Sequence, residues 1–247
     1  MTSNTRNKTG SGKVVAEPLT GNSPVVQNDV ASFLAQVKAT PVRTKTGNGR
    51  LVFAMDATMS RQATWDTALK TQAEMFLEAG RVGGLEVQLV YFRGFGECRS
   101  SSWVDDASSL ARLMTTVECR GGNTQIAKVL KHVRSQSQKS SIDAVIYVGD
   151  CMEENIDELC QLAGEVGLLG TRMFMFQEGN DAIAQKAFKE IARLTGGAYS
   201  RFDASSASHL KDLLAAVAVY AAGGRAALDD FSKGGGKAAR ALLEQLS

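Results

Sequence analysis

The chain has 247 residues with 44% apolar content, enough for one α/β domain with appendages, or two small domains, and one sizeable core. A formal net charge of +2 speaks against wholesale nucleic-acid binding, and two histidines (His132, His209) exclude a His-rich zinc site. Four cysteines (Cys98, Cys119, Cys151, Cys160) with no CxxC pair exclude a disulfide scaffold and read as free thiols.

The charge is uneven along the chain. Residues 1–50 hold seven Lys/Arg against two Asp/Glu, and the rest holds 21 against 24, so a basic tail precedes a slightly acidic domain. The first residues lack the apolar stretch of a secretory signal. The longest near-apolar run, 213–222, is about ten residues where a membrane span needs about 20. The expectation is a soluble, cytoplasmic protein. Residues 1–27 are rich in Ser, Thr, Asn, Gly and Lys and should be disordered, because they have too little apolar surface to offset chain entropy. Asn28 and Asp29 could cap a short helix carrying Val30, Phe33, Leu34 and Val37, ended by Pro41. Residues 1–49 thus read as a mostly disordered basic tail with a short helix near 28–38.

From Arg50 strand-like runs alternate with helix-period segments. The runs are 51–55 (LVFAM), 85–92 (LEVQLVYF), 144–148 (AVIYV) and 173–176 (MFMF). Helical spacing fills 63–79, 106–116, 124–138 and 181–194. After Phe92, the stretch RGFGECRSSSWV reads as a hairpin that adds one antiparallel edge strand. The fold class is therefore α/β, a doubly wound, Rossmann-like, mostly parallel sheet. The main domain spans 50–222, and 223–247 form a C-terminal helical extension. In that extension Gly223-Gly224 and Gly234–236 act as breaks, and a last helix turns Ala241, Leu242 and Leu246 to one side.

Ligands of such sheets sit beyond the carboxyl ends of the strands. The first strand is followed by Asp56-Ala57-Thr58-Met59-Ser60, whose alternation points one carboxylate and two hydroxyls the same way. Thr124 starts a helix after the loop Cys119-Arg120-Gly121-Gly122-Asn123, and Asp150 follows AVIYV and Gly149. Five oxygen ligands, Asp56, Thr58, Ser60, Thr124 and Asp150, would converge, a set that suits octahedral Mg²⁺ or Mn²⁺ rather than zinc. The competing explanation is that Asp56 and Thr58 merely cap the first helix. Arg61, Arg120 and Asn123 lie near these loops as candidate partner contacts. Trp65 reads as helix core, and Glu153 and Glu154 read as favouring the N-terminus of the helix that follows them. Cys151, beside Asp150, could make the site redox-sensitive.

This arrangement resembles the metal-ion-dependent adhesion site of von Willebrand factor A (VWA) domains. That family shows D-x-S-x-S, then a threonine in a Gly-rich loop, then an aspartate after the fourth strand. The resemblance covers roughly residues 50–222. It departs at Thr58, where serine is usual, and at Gly149-Asp150-Cys151, where T-D-G is typical. The stretches SRQATWD, VQLVYFRGFGEC, YVGDCMEEN, FMFQEG, IARLTGGAY and LLAAVAVYAAGG resemble a group of bacterial A-domain proteins.

The resemblance implies a metal with one coordination position open to a partner carboxylate. Asp56, Thr58, Ser60 and Thr124 would ligate directly or through water, and Asp150 mainly through water. It also implies an intracellular bacterial assembly, with a chaperone-like ATPase as a candidate partner. Two other functions compete. A Mg²⁺-dependent phosphohydrolase of the haloacid-dehalogenase type needs D-x-D, and Thr58 stands in place of its acid/base aspartate. An RNA-associated role would use the basic tail (Arg6, Lys8, Lys13, Lys38, Arg43, Lys45), but the domain lacks an aromatic-plus-basic stripe. A binding module without catalysis is the expectation.

Overall fold

The computed structural model describes Met1 and residues 48–202, 207–234 and 237–246. The expected basic tail and its short helix near 28–38 lie outside the described residues. All described residues except Met1 belong to the unit Val37–Ser247.

Six strands form one sheet in the order β3-β2-β1-β4-β5-β6. They are β1 (Gly49–Asp56), β2 (Leu85–Arg93), β3 (Glu97–Val104), β4 (Ala144–Gly149), β5 (Arg172–Glu178) and β6 (Ala198–Phe202). Every pairing is parallel except β2 with β3, the expected antiparallel edge. The helices are α1 (Gln62–Thr71), α2 (Ala73–Gly80), α3 (Ala107–Thr115), α4 (Ile126–Lys139), α5 (Ile156–Leu168), α6 (Ala182–Leu194), α7 (Ala207–Lys233) and α8 (Lys237–Leu243).

The central strands are apolar on both faces because helices cover both. In β1, Leu51, Phe53 and Met55 join one core and Val52 and Ala54 the other. The MFMF run of β5 splits the same way, with Phe174 and Phe176 on one side and Met173 and Met175 on the other. Full burial of each of the larger of these side chains stabilises by roughly 1.5–3 kcal/mol. The first core lies under α1, α2, α3, α7 and α8, and the second under α4, α5 and α6. Among the described residues, side-chain caps start α3 with Asp106, α5 with Asn155 and α6 with Asp181.

Some elements differ from the sequence reading. The single helix over 63–79 divides at Gln72, where the Met75 N–H bonds the Gln72 carbonyl three residues back. Strand β6 follows Gly196-Gly197 and is half-exposed, so it lacks an apolar run. Gly223-Gly224, by contrast, does break α7 into two helical segments, with Gly224, at φ 71°, outside helical geometry. On α8 the buried face is Ala238, Ala239 and Leu242, with Leu246 beyond its end, while Ala241 is exposed. This face enters the same core as Leu228.

The tail also closes a sheet edge. Gln245 accepts the Tyr199 N–H at 2.8 Å and donates to the Tyr199 carbonyl at 3.0 Å, as a neighbouring strand would. At the other end of the sheet, a register shift between Gln88 and Val90 is patched by Ser101. Its hydroxyl accepts the Leu89 N–H, and its carbonyl accepts from the Gln88 side chain.

Gly49 opens β1 against the end of the first segment of α7, and a Cβ there would collide with the Ala221 carbonyl. Because the obstacle is backbone, Gly49→Ala should lower unfolding free energy by about 1–3 kcal/mol, read as a shifted urea midpoint.

Candidate metal centre

Strand order reverses between β1 and β4: β1 is followed by β2 on one side, and β4 leads to β5 and β6 on the other. The crevice beyond the carboxyl ends of these two strands is the switch point where doubly wound sheets bind ligands. Asp56 is the last residue of β1 and Asp150 directly follows β4.

Asp56 is 1% exposed. Its Oδ1 accepts the Thr58 N–H at 2.7 Å, which turns the chain sharply out of β1. The Thr58 and Ser60 hydroxyls lie 3.2 Å apart, and Ser60 Oγ donates to Asp150 Oδ2 at 3.2 Å. Asp56, Thr58, Ser60 and Asp150 are thus strung together by hydrogen bonds. Neither the 3₁₀ turn Met59–Arg61 nor α1 has a side-chain N-cap, so helix capping does not account for Asp56 and Thr58. Two carboxylate oxygens, Asp56 Oδ2 and Asp150 Oδ1, are buried with no hydrogen-bond partner. Burial, with the Asp150 charge adding to it, pushes the Asp56 carboxyl up to about 6.

The other loops are fastened to this turn. The Arg120 N–H donates to the Ala57 carbonyl and the Ala57 N–H to the Phe92 carbonyl. Thr124 is buried, but its hydroxyl is not bonded to the other four residues. It accepts the Glu153 N–H at 3.2 Å, while the Glu153 carboxylate accepts the Thr124 N–H at 3.2 Å. Glu154 accepts the Ile126 and Ala127 N–H groups. Glu153 and Glu154 therefore serve α4 and the residues just before it, across the crevice, rather than the helix that follows them. Asn155 caps that helix.

Arg61 is corrected as a partner contact. It is 2% exposed, and its guanidinium pairs with Glu178 at the end of β5, where Thr64 also donates. Burial removes it from the surface and leaves it as a cation behind Asp56. Glu178 and the two glutamates after Asp150 were not singled out as partners for these loops. The only signal for Glu178 is its place at a strand's carboxyl end. Arg120 and Asn123 are exposed, and Arg120 pairs with Glu118 at 3.1 Å. Trp65 is core, with its indole N–H on the Met114 carbonyl. Burial and the adjacent Asp150 push the Cys151 thiol up to about 12, the opposite of an activated thiolate.

Among the described residues no three His, Cys, Asp or Glu cluster as metal donors. The donors here are two carboxylates and hydroxyls, a hard oxygen set of the kind that holds small divalent cations. The two unpartnered carboxylate oxygens fit such an ion.

No family model matches the sequence, and no curated protein does. Solved structures do. The SpRpn10 VWA domain is 10% identical, with a TM-score of 0.52 over 66% of this chain and 95% of that one. The chain has the VWA fold. The VWA2 paralog of ArnB from Sulfolobus acidocaldarius is 13% identical, with a TM-score of 0.50 over 70% of this chain and 47% of that one. The pilus adhesin SpaC from Lactobacillus rhamnosus GG is 11% identical, with a TM-score of 0.57 over 73% of this chain and 30% of that one. The chain thus spans less than half of the last two proteins. No helix among the described residues is long and apolar enough to cross a membrane.

The raised Asp56 carboxyl sets a pH dependence for the metal-free protein. A group lifted from 3.8 to about 6 adds stability that is complete below 3.8 and lost as pH rises through about 6. In chelator, lowering the pH from about 7 to about 5 should raise the unfolding free energy of wild type over that of Asp56→Asn by about 1 kcal/mol. Equal pH profiles from paired denaturant titrations would refute this.

Proposed function

We propose that this VWA domain is a metal-dependent protein-binding module, with Asp56, Thr58, Ser60, Thr124 and Asp150 holding Mg²⁺ or Mn²⁺. The observation that carries the reading is the pair of buried, unpartnered oxygens on Asp56 and Asp150 at the sheet's switch point, with the Thr58 and Ser60 hydroxyls strung between them. When bound, the ion would supply positive charge and one open coordination position for a partner's Asp or Glu carboxylate.

The chain's own residues prepare that contact. The Asp56–Thr58 hydrogen bond fixes the turn, and Ser60 steadies Asp150. Glu153 and Glu154 spend their carboxylates on backbone N–H groups, so they do not swamp the site with negative charge. Arg120 and Asn123, exposed on the second loop, border the position where a partner would arrive. The partner is a protein with an exposed acidic residue, within an intracellular assembly; a chaperone-like ATPase fits that description.

The reading is of a binding module and not an enzyme. Thr58 offers a hydroxyl where phosphohydrolase chemistry needs a second carboxylate to move a proton. Phosphoester turnover that disappears in Asp150→Ala would overturn this.

Mg²⁺ at a free concentration about 100 times its Kd should stabilise wild type by about 2.7 kcal/mol and Asp56→Ala by nothing measurable. Capture from a lysate of the source organism, with Mg²⁺, with chelator and with Asp56→Ala, tests the partner side. A prey held only by the intact site in Mg²⁺ is expected; the same prey in all three samples would dismiss the site as its contact.

A further inference from the structure

The tip of the β2–β3 hairpin is locked onto the start of α4. The Asn123 N–H donates to the Gly94 carbonyl, and Gln125 Nε2 donates to the carbonyls of Arg93 and Gly94. Lys128 Nζ donates to the Gly96 carbonyl at 2.6 Å. Gly122 passes so close to Gly94 that a Cβ would strike its backbone. The hairpin takes this path through two glycines at positive φ, Gly94 at 61° and Gly96 at 152°. The residue between them, Phe95, is 89% exposed. An aromatic ring is thus held out in water on a tip that is hydrogen-bonded on both sides.

Beside Phe95 lies a cleft of about 350 Å³, lined also by Asn123, Thr124, Lys128, Lys131 and Glu154. It shares Thr124 with the candidate metal centre, so the two adjoin. Its charges differ in availability. Glu154 has both oxygens on backbone N–H groups of α4, and Lys131 pairs with Glu158. Lys128 is exposed and bonds only neutral acceptors, the Gly96 carbonyl and the Gln125 amide. Its positive charge therefore faces the cleft without a carboxylate in ion-pair reach among the described residues. Exposed Met59, within the metal turn, adds a second apolar side chain at this end of the sheet.

We propose that the cleft is the second half of the partner site and takes an acidic peptide segment of another protein. One carboxylate goes to the Asp56–Asp150 centre, a further carboxylate faces Lys128, and an apolar side chain between or beside them lies on Phe95. Aromatic anchors held rigidly at the middle of a contact carry a large share of binding energy, and a lysine paired to neutral groups keeps its attraction for an acid. This rests on the metal-dependent reading of the neighbouring centre.

The test is selection of short phage-displayed peptides, random but for one fixed aspartate, on the full chain in Mg²⁺. The winners are then measured against wild type, Phe95→Ser, Lys128→Gln and Asp56→Ala. Phe95 is too exposed to matter for folding, and glutamine keeps a donor for the Gly96 carbonyl while removing the charge. Winners should carry a second Asp or Glu and an apolar residue near the fixed aspartate. Phe95→Ser and Lys128→Gln should each weaken them about ten-fold, with Mg²⁺ affinity unchanged. If winners bind both variants as tightly as wild type yet fail on Asp56→Ala, the cleft proposal falls and the metal reading stands. If they also survive Asp56→Ala and chelator, both fall. If no Mg²⁺-dependent winner emerges, the cleft proposal falls, and calorimetric Mg²⁺ titration decides the metal reading separately.

Discussion

Two aspartates stand at the ends of adjacent parallel strands, Asp56 buried and Asp150 partly so, and the surrounding structure answers to that burial of charge. Burial raises the cost of ionising Asp56, and the neighbouring Asp150 charge adds to it. The chain offsets this while leaving Asp56 Oδ2 and Asp150 Oδ1 without a hydrogen-bond partner. Arg61 sits behind Asp56 as a buried cation, itself tied to Glu178. Thr58 and Ser60 contribute hydroxyls rather than charge. Glu153 and Glu154, which would aggravate the repulsion if they turned toward it, are bound to the N–H groups leading into α4. Removing Arg61 would leave the partly buried Glu178 carboxylate with the Thr64 hydroxyl in place of a cation.

The same loops that surround the acids also stiffen the surface around them. The Ala57 carbonyl and N–H fasten the Asp56–Ser60 turn to the second loop and to the end of β2. The second loop is in turn bonded to the hairpin tip through Asn123 and Gln125. Three loops from distant parts of the chain therefore behave as one continuous rim. A rim of this kind holds donors and contact side chains in fixed relation before any ligand arrives, which lowers the entropy lost on binding.

Much of this was legible in the sequence, for reasons that depend on the residue. The strands LVFAM, AVIYV and MFMF stand out because central parallel strands are apolar on both faces. The two aspartates and two hydroxyls stand out because they come directly after such strands. Strand β6 did not, because an edge strand with one open face carries no apolar run. Arg61 looks solvated in the sequence because its neighbours are polar, whereas its burial depends on Glu178, more than a hundred residues away. Glu153 and Glu154 were assigned to the wrong helix for a similar reason. Local spacing points to the helix that follows, while the fold brings the start of α4 across the crevice. The break at Gly224 is legible as a glycine pair, because its positive φ is a backbone state that glycine adopts without strain.

Gln245 carries a consequence of another kind. Its side-chain amide mimics a single rung of a β-ladder, so the backbone of Tyr199 on the edge strand β6 is already paired within the molecule. One residue near the chain's end thereby works as a stopper, and its release would turn a closed boundary into a template on which a second molecule could begin to pair.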